Sequence, residues 1–382
     1  MKLFHLSDLH LGKRLCGVSL VEDQRDMLEK IIGHIKRKKP DVVMIAGDIY
    51  DRSVPPEDAV ALFDDFLFEL SEMKVSVLII SGNHDSAERL AYGGRILNRS
   101  GIYISPDFVK GNYDTILKPV TLSDNHGEIN FYLLPFVTPY AVRAARGGRP
   151  EAEISSYTDA VRAVINEMNV DTSRRNILIA HQFVTGAEKC DSETFSVGGI
   201  DNVDVSVFEP FDYVALGHIH GPQRIGRDTV RYCGTPLKYS FSEEKHKKSI
   251  TVLDIAEKGK VNISTIALDD PLHDLREING SFAEVVERGK SDDYVRVILT
   301  DKNEISDAMN KLREYFPNIM QMSFENQWIA DERTPESFEN VSRLLPFDLF
   351  SEFYKTRTNT DLNERQAEIV KNIFNEIKEG KE

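Results

Sequence analysis

Val42-Val43-Met44-Ile45-Ala46-Gly47-Asp48-Ile49-Tyr50-Asp51-Arg52 sets five apolar residues directly against a glycine and two spaced carboxylates. A short apolar run without polar alternation belongs to a strand covered on both faces. The Gly-Asp pair ends that strand and leaves a carboxylate at its carboxyl end. The same pattern recurs along the chain. Leu3-Phe4-His5-Leu6 precedes Asp8-Leu9-His10, and Val75 to Ile80 precedes Gly82-Asn83-His84-Asp85. Ile177-Leu178-Ile179-Ala180 precedes His181, and Tyr213-Val214-Ala215-Leu216 precedes Gly217-His218-Ile219-His220. Ligands of open α/β sheets bind outside the carboxyl ends of the strands, so these signatures are expected at one edge of a sheet, around one site.

The residue types narrow the chemistry. Carboxylate, amide oxygen and imidazole together suit Mn²⁺, Fe²⁺ or Zn²⁺ rather than Ca²⁺. Asp8, His10, Asp48, Asn83, His181, His218 and His220 are too many donors for one such ion. Two ions about 3.5–4 Å apart sharing a carboxylate would use them all and clamp the attacking and leaving oxygens of a phosphoryl displacement. Taken singly, His181 is a histidine satisfied in a core, and Asp8, Asp48 and Asp85 are helix caps or turn residues. Membership of the full set reverses that reading. His5 reads as structural, and His34, His126, His246 and His273 fall outside any set.

In this order, D-x-H, G-D-x-x-D, G-N-H-D, a lone His and G-H-x-H resemble the calcineurin-like metallophosphoesterase superfamily. Within it, the chain is similar to nuclease subunits that work with an SMC-type ATPase. Gly47 to Pro56, Ser81 to Ser86 and Tyr232 to Glu243 support the likeness, which covers residues 1 to about 255. The resemblance implies that Asp8, His10 and His220 hold one metal, Asn83, His181 and His218 the other, and that Asp48 bridges them. A hydroxide activated by both ions, Mn²⁺ being the ion expected, would attack phosphorus. His84 would be the general acid for the leaving oxygen, oriented by the Asp51 carboxylate. It further implies DNA as substrate, an SMC-type ATPase subunit as partner, a homodimer within a heterotetramer, and a cytoplasmic location.

Between the strands, Met27, Ile31, Ile32 and Ile35 stripe a helix over Val21 to Lys38, and Val60, Phe63, Phe66, Leu67 and Leu70 stripe another over Pro56 to Met73. Residues 127–136 and 229–255 read as consecutive strands of a second layer. The expected fold is α/β: a two-sheet metallophosphoesterase sandwich flanked by helices, plus a small α+β capping domain and a C-terminal helical tail. Expected boundaries are 1–265, 266–335 and 336–382. The middle unit holds strands Tyr294 to Thr300 and Ile319 to Phe324 and a helix from Glu304 to Phe316. In the tail, Leu349, Phe350, Phe353 and Tyr354 share a face. Leu362, Ile369, Val370, Ile373, Phe374 and Ile377 stripe a helix started by Thr360 or Asp361, either folded back or docked on a partner.

Composition sets further bounds. The net charge of −15 is awkward for a DNA enzyme, which needs Lys and Arg against phosphates. Lys13 and Arg14 are the best candidates for a local basic stripe; Arg143, Arg146 and Arg149, and Lys245, Lys247 and Lys248, are others. Arg52 is either an exposed loop residue or a phosphate grip of the kind seen in protein phosphatases. Three cysteines without C-x-x-C spacing argue against a disulfide framework. No apolar stretch approaches the roughly 18 residues of a membrane span, and no Walker A pattern appears, so ATP dependence would come from another chain. A phosphomonoesterase or cyclic-nucleotide phosphodiesterase would use the same ligands without needing residues 268–382. A scaffold would have lost ligands, and a structural zinc protein would want thiolates.

Overall fold

The computed structural model describes residues 1–108, 113–146, 154–193, 201–301, 305–325, 347, 350–351, 353–355 and 360–379. These residues form two compact units, Met1–Glu277 with Asp292–Val295, and Ile278–Ser291 with Arg296–Glu382.

The first unit is a sandwich. β1 (Lys2–Leu6) is followed by a small hairpin of β2 (Arg14–Leu15) and β3 (Val18–Ser19), then α1 (Val21–Lys38), β4 (Val42–Ala46), α2 (Glu57–Glu72), β5 (Ser76–Ile80) and β6 (Ile102–Ile104). β7 (Val120–Asp124), β8 (Gly127–Leu134), β9 (Arg175–His181), β10 (Tyr213–Gly217), β11 (Gln223–Ile225) and β12 (Arg227–Tyr232) come next, and β13 (Ser249–Ile255) and β14 (Val261–Ala267) close the unit. The first sheet has the order β14-β13-β1-β4-β5-β6 and the second β11-β12-β10-β9-β8-β7. Parallel registers join β1, β4 and β5 in one sheet and β8, β9 and β10 in the other.

The strand-end signatures therefore come from two facing sheets, three from one and two from the other, rather than from one edge of a single sheet. A buried apolar run shows that both faces are covered without showing which strands it joins. Leu3, Val42, Met44, Ala46, Leu78 and Ile80 meet Phe131, Ile177, Ile179, Tyr213 and Ala215 in one core between the sheets. Residues alternate in a strand, so Leu178, Ala180, Val214 and Leu216 point out of that core. They pack into a second core with Val161, Val164 and Ile165 of the helix Tyr157–Glu167.

α1 buries the expected stripe, Met27, Leu28, Ile31, Ile32 and Ile35, each worth about 1.5–3 kcal/mol when taken from water. In α2 the buried face is Ala59, Leu62, Phe63, Phe66 and Leu70. Val60 is 44 % exposed, because the face is centred one residue earlier than the stripe read from sequence. Residues 229–255 are not continuous strand: β12 ends at Tyr232, and a loop with a 3₁₀ turn at Phe241–Glu243 intervenes before β13. The chain also continues past the Lys-Gly-Lys turn into β14, paired antiparallel with β13 from Ser249↔Ala267 to Ile255↔Val261.

The second unit is built on a sheet of order β15-β16-β17, formed by β15 (Leu275–Gly280), β16 (Tyr294–Leu299) and β17 (Ile319–Phe324). Its helix is Ala308–Arg313, shorter than expected, and Glu304 lies outside the described residues. Leu349, Arg149 and the boundary between 335 and 336 lie outside them too. The last helix is Glu364–Glu379. It starts at Asn363 rather than Thr360 or Asp361, since Asn363 Oδ1 accepts from Gln366 N at 2.9 Å and Gln366 Oε1 accepts from Asn363 N at 3.0 Å. Phe350 lies 6.4 Å between ring centroids from Phe374, while Ile369 and Ile373 are half exposed. Among the described residues no helix is long and apolar enough to cross a membrane.

Candidate metal centre

Asp8 and His10 follow β1, Asp48 follows β4, Asn83 and His84 follow β5, His181 ends β9, and His218 and His220 follow β10. The chain turns sharply at these strand ends. Asp8, His10, Asp48 and His218 all have positive φ, at 52°, 44°, 48° and 100°. Such conformations cost of order 1–3 kcal/mol each and persist where surrounding bonds over-determine them. Here Asp8 N donates to Gly47 O at 2.9 Å, His10 N to Asp48 O at 3.0 Å and Leu11 N to Ile49 O at 2.9 Å, so the two loops run side by side beyond the sheet. The Asp85 carboxylate accepts from Ile49 N, Tyr50 N and Gly82 N at 2.9–3.1 Å, which ties the loop after β5 to them. Asp85 is thus a brace between loops.

Glycines allow the close approach. A Cβ on Gly82 would lie 2.1 Å from Asp48 Oδ1, and one on Gly47, whose φ is +86°, would lie 2.5 Å from His181 Nδ1. The donor atoms consequently converge. His10 Nε2 is 3.2 Å from His220 Nε2. Asn83 Oδ1 is 3.0 Å from both His181 Nε2 and His218 Nδ1. Asp48 Oδ2 is 3.3 Å from His181 Nε2 and 3.7 Å from His10 Nε2. Asp8, His10 and His220 form one group of mutually close ligand atoms, and Asp8, Asp48 and His181 another, all buried.

The electrostatics follow from that burial. Desolvation pushes Asp8 up to about 6, against the opposing charge of His181. Burial alone would raise Asp48 as well, but His181 and His10 hold it well below the usual carboxylate range. For His181 burial works downward, and the Asp48 charge and hydrogen bond outweigh it, lifting it to about 9. Burial lowers His10 well below its ordinary value, and burial together with the His181 charge lowers His218 to about 3. Neutral imidazoles are the ligand form. Packed oxygen and nitrogen lone pairs beside a carboxyl destabilised by burial make a donor set that fits divalent cations, whose charge would hold Asp8 ionised.

His84 N donates to Asp48 Oδ1 at 2.9 Å, and its ring stands edge-on to His10 at 4.9 Å between centroids. Its Nδ1 faces the Asp51 main-chain carbonyl at 2.9 Å. The expectation that the Asp51 carboxylate orients His84 is corrected here: that carboxylate binds Lys13 Nζ at 2.8 Å and lies 3.7 Å from His10 Nδ1. Arg52 is 71 % exposed, with Nε 3.7 Å from Asp51 Oδ2. Arg14 is exposed and bonds the Gly17 carbonyl. Of the other basic residues, Arg143 bonds Ile154 O, Arg146 pairs with Glu167 at 2.7 Å, and Lys248 is buried against Glu243; Lys245 and Lys247 are exposed. Charges that read as solvated runs are in these cases internal ties. His5 is structural as read: it is buried, meets Tyr213 Oη at 3.0 Å, and is lowered to about 3 by desolvation.

Several residues of the site were not singled out by sequence reasoning. Gln24 Nε2 donates to His10 O at 2.7 Å. Glu193 Oε1 accepts from His220 N at 2.8 Å, and Ser192 and Glu243 meet His220 Nδ1 at 2.8 and 3.2 Å. Glu243 ends the Tyr232 to Glu243 stretch, but nothing local announces that its carboxylate reaches back to His220.

Residues 1–222 match the family model described as calcineurin-like phosphoesterase. The chain belongs to that family. Its members use divalent metals, in keeping with the candidate ligand groups above. Residues 271–358 match a second model, described as type 5 capsule protein repressor C-terminal domain. Two curated proteins named as the SbcD component of the nuclease SbcCD, from Staphylococcus epidermidis and Staphylococcus saprophyticus, are each 33% identical to this chain, covering 99% of both sequences. Among solved structures, a dimetal phosphatase from Danio rerio is 13% identical, with a TM-score of 0.44 over 71% of this chain and 98% of that one.

Proposed function

We propose that this family member is the nuclease subunit of an SbcCD-type complex, a metal-dependent phosphodiesterase acting on DNA in the cytoplasm with an SbcC-like SMC-type ATPase. The observation that carries the chemistry is the convergence of Asp8, His10, Asp48, Asn83, His181, His218 and His220 from two sheets into one buried cluster. The DNA substrate and the partner rest on the names of relatives matched over almost the whole chain. Asp8, His10 and His220 would hold one ion, Asn83, His181 and His218 the second, with Asp48 between them and Mn²⁺ as the ion. Two divalent cations there supply a nucleophile from water near neutral pH and neutralise developing phosphate charge.

The chain's own residues do the rest. A carbonyl can only accept, so His84 donates through Nδ1 to Asp51 O, which assigns proton transfer to the leaving oxygen to Nε2. Lys13, Arg14 and Arg52 lie in or beside the loops carrying His10 and Asp48 and would meet the DNA backbone. Domains at 1–265, 266–335 and 336–382 would divide cleavage, substrate selection and partner docking, the last through exposed Ile369 and Ile373. Two copies would pair within a heterotetramer.

The test is Mn²⁺-dependent cleavage of linear duplex and single-stranded DNA by the full chain, beside a small phosphodiester and a phosphomonoester. His84→Ala should bind Mn²⁺ normally and lose about 10²–10⁴-fold in cleavage; Asp48→Ala should lose both. Hydrolysis of small esters with DNA untouched, even with the ATPase added, would move the assignment to a small-molecule phosphoesterase. Equal metal loss in the two variants would refute the division of roles.

A further inference from the structure

His220 is gripped at every polar position. Its N–H donates to Glu193 Oε1 at 2.8 Å, its carbonyl accepts from Lys248 Nζ at 3.0 Å, and its Nδ1 meets Ser192 Oγ at 2.8 Å and Glu243 Oε1 at 3.2 Å. Glu243 is fully buried and surrounded by donors. Ser192 Oγ donates to Oε1 at 2.5 Å, Tyr239 N to Oε1 at 3.3 Å, and Lys248 Nζ to Oε2 at 2.5 Å. Lys248 is itself 4 % exposed and also donates to Thr235 Oγ1 at 2.5 Å.

The direction of these bonds fixes a proton. A carboxylate ringed by donors only accepts, and the Ser192 hydroxyl spends its single hydrogen on Glu243, so both partners of His220 Nδ1 are acceptors. Nδ1 therefore carries the ring proton. Nε2 is left as a lone pair, 3.2 Å from His10 Nε2 on the metal-centre side. Burying a Lys–Glu pair often gains no stability over a well-packed apolar pair. Here both members of the pair touch the same histidine, Lys248 at its carbonyl and Glu243 at its ring. We infer that Glu243, held by Lys248 and relayed by Ser192, is a positioning residue that fixes His220 as its Nδ1-protonated tautomer and aims Nε2 at the metal centre. The target of Nε2 rests on the metal reading above; the tautomer does not.

The experiment uses the full chain with ¹⁵N-labelled histidine. In metal-free protein the His220 ring should show a protonated Nδ1 and a bare Nε2, and the opposite pattern overturns the inference. Glu243→Leu with Lys248→Met removes acceptor and counter-charge together; His220 should become a tautomer mixture, and affinity for Mn²⁺ alone, by calorimetry, should fall about 10–100-fold. Glu243→Gln with Lys248→Met keeps an amide acceptor and should recover most of both signals. Wild-type shifts and wild-type Mn²⁺ affinity in the Leu/Met variant would overturn the inference. Should either pair fail to fold by circular dichroism, the wild-type tautomer and the partial shift in Ser192→Ala still decide it. Failure of the metal reading would look different: wild type and Asp48→Ala would bind Mn²⁺ equally poorly whatever the tautomer.

Discussion

His181 and His84 are oriented by main-chain carbonyls, Ala46 at 2.8 Å and Asp51 at 2.9 Å, whereas His220 is oriented by side chains, Ser192 at 2.8 Å and Glu243 at 3.2 Å. A carbonyl in or beside a sheet is fixed by the ladder that holds its neighbours, and no substitution deletes it. What it demands is clearance, so the main-chain-held side depends on glycines. The side-chain-held region instead needs a buried carboxylate with its own counter-ion, and single substitutions can take it apart. One cluster thus uses two kinds of support with different vulnerabilities.

The comparison breaks most severely if clearance is removed. On Gly217 a Cβ would lie 1.9 Å from Ala46 O and 2.7 Å from His181 Nδ1. Gly217→Ala should lose about 3 kcal/mol or more in urea unfolding, the upper range for overpacking, and should lose Mn²⁺ binding as well. Wild-type stability and affinity would mean that the backbone yields easily and that main-chain support is not rigid.

A smaller effect comes from pH in chelated, metal-free protein. His181 is raised to about 9 when folded, so its contribution is complete below its unfolded value near 6.5 and is lost as pH rises through about 9. Asp8, raised to about 6, acts in the same direction at lower pH, since its folded form prefers the proton. The urea midpoint should therefore fall from about pH 6.5 to 9. Added Mn²⁺ should oppose the fall, because ligands bind in their deprotonated forms. A midpoint that rises over this window would contradict the buried His181–Asp48 pair.

The smallest effect sharpens the distinction. Asp51→Asn keeps the carbonyl that holds His84 and removes only the charge paired with Lys13. Cleavage should stay within about threefold of wild type in kcat. A loss near that of His84→Ala would mean that the carboxylate acts on His84 after all.

Much of the site was legible because each piece is local. A buried run, a glycine and an Asp or His at its end are contiguous in Val42 to Asp48 and in Tyr213 to His220. Phases and partners were less legible. Val60 was placed in a helix stripe that actually runs through Ala59, Leu62 and Phe63, because spacing alone leaves the centre of a face uncertain by a residue. Lys248 sits in Lys245-His246-Lys247-Lys248, a run that looks solvated, yet its ammonium is buried against Glu243.

The sequence by itself determined the strand ends, the donor types and the family likeness, since short-range sterics and periodicity decide where a strand stops and which side chain follows it. Only the tertiary structure decided that those ends belong to two sheets, that Asp51 holds His84 through its carbonyl, and that Glu243 stands behind His220. The reason is separation along the chain: His181 meets Ala46 across 135 residues and His10 meets His220 across 210, contacts that exist only once the two sheets have packed.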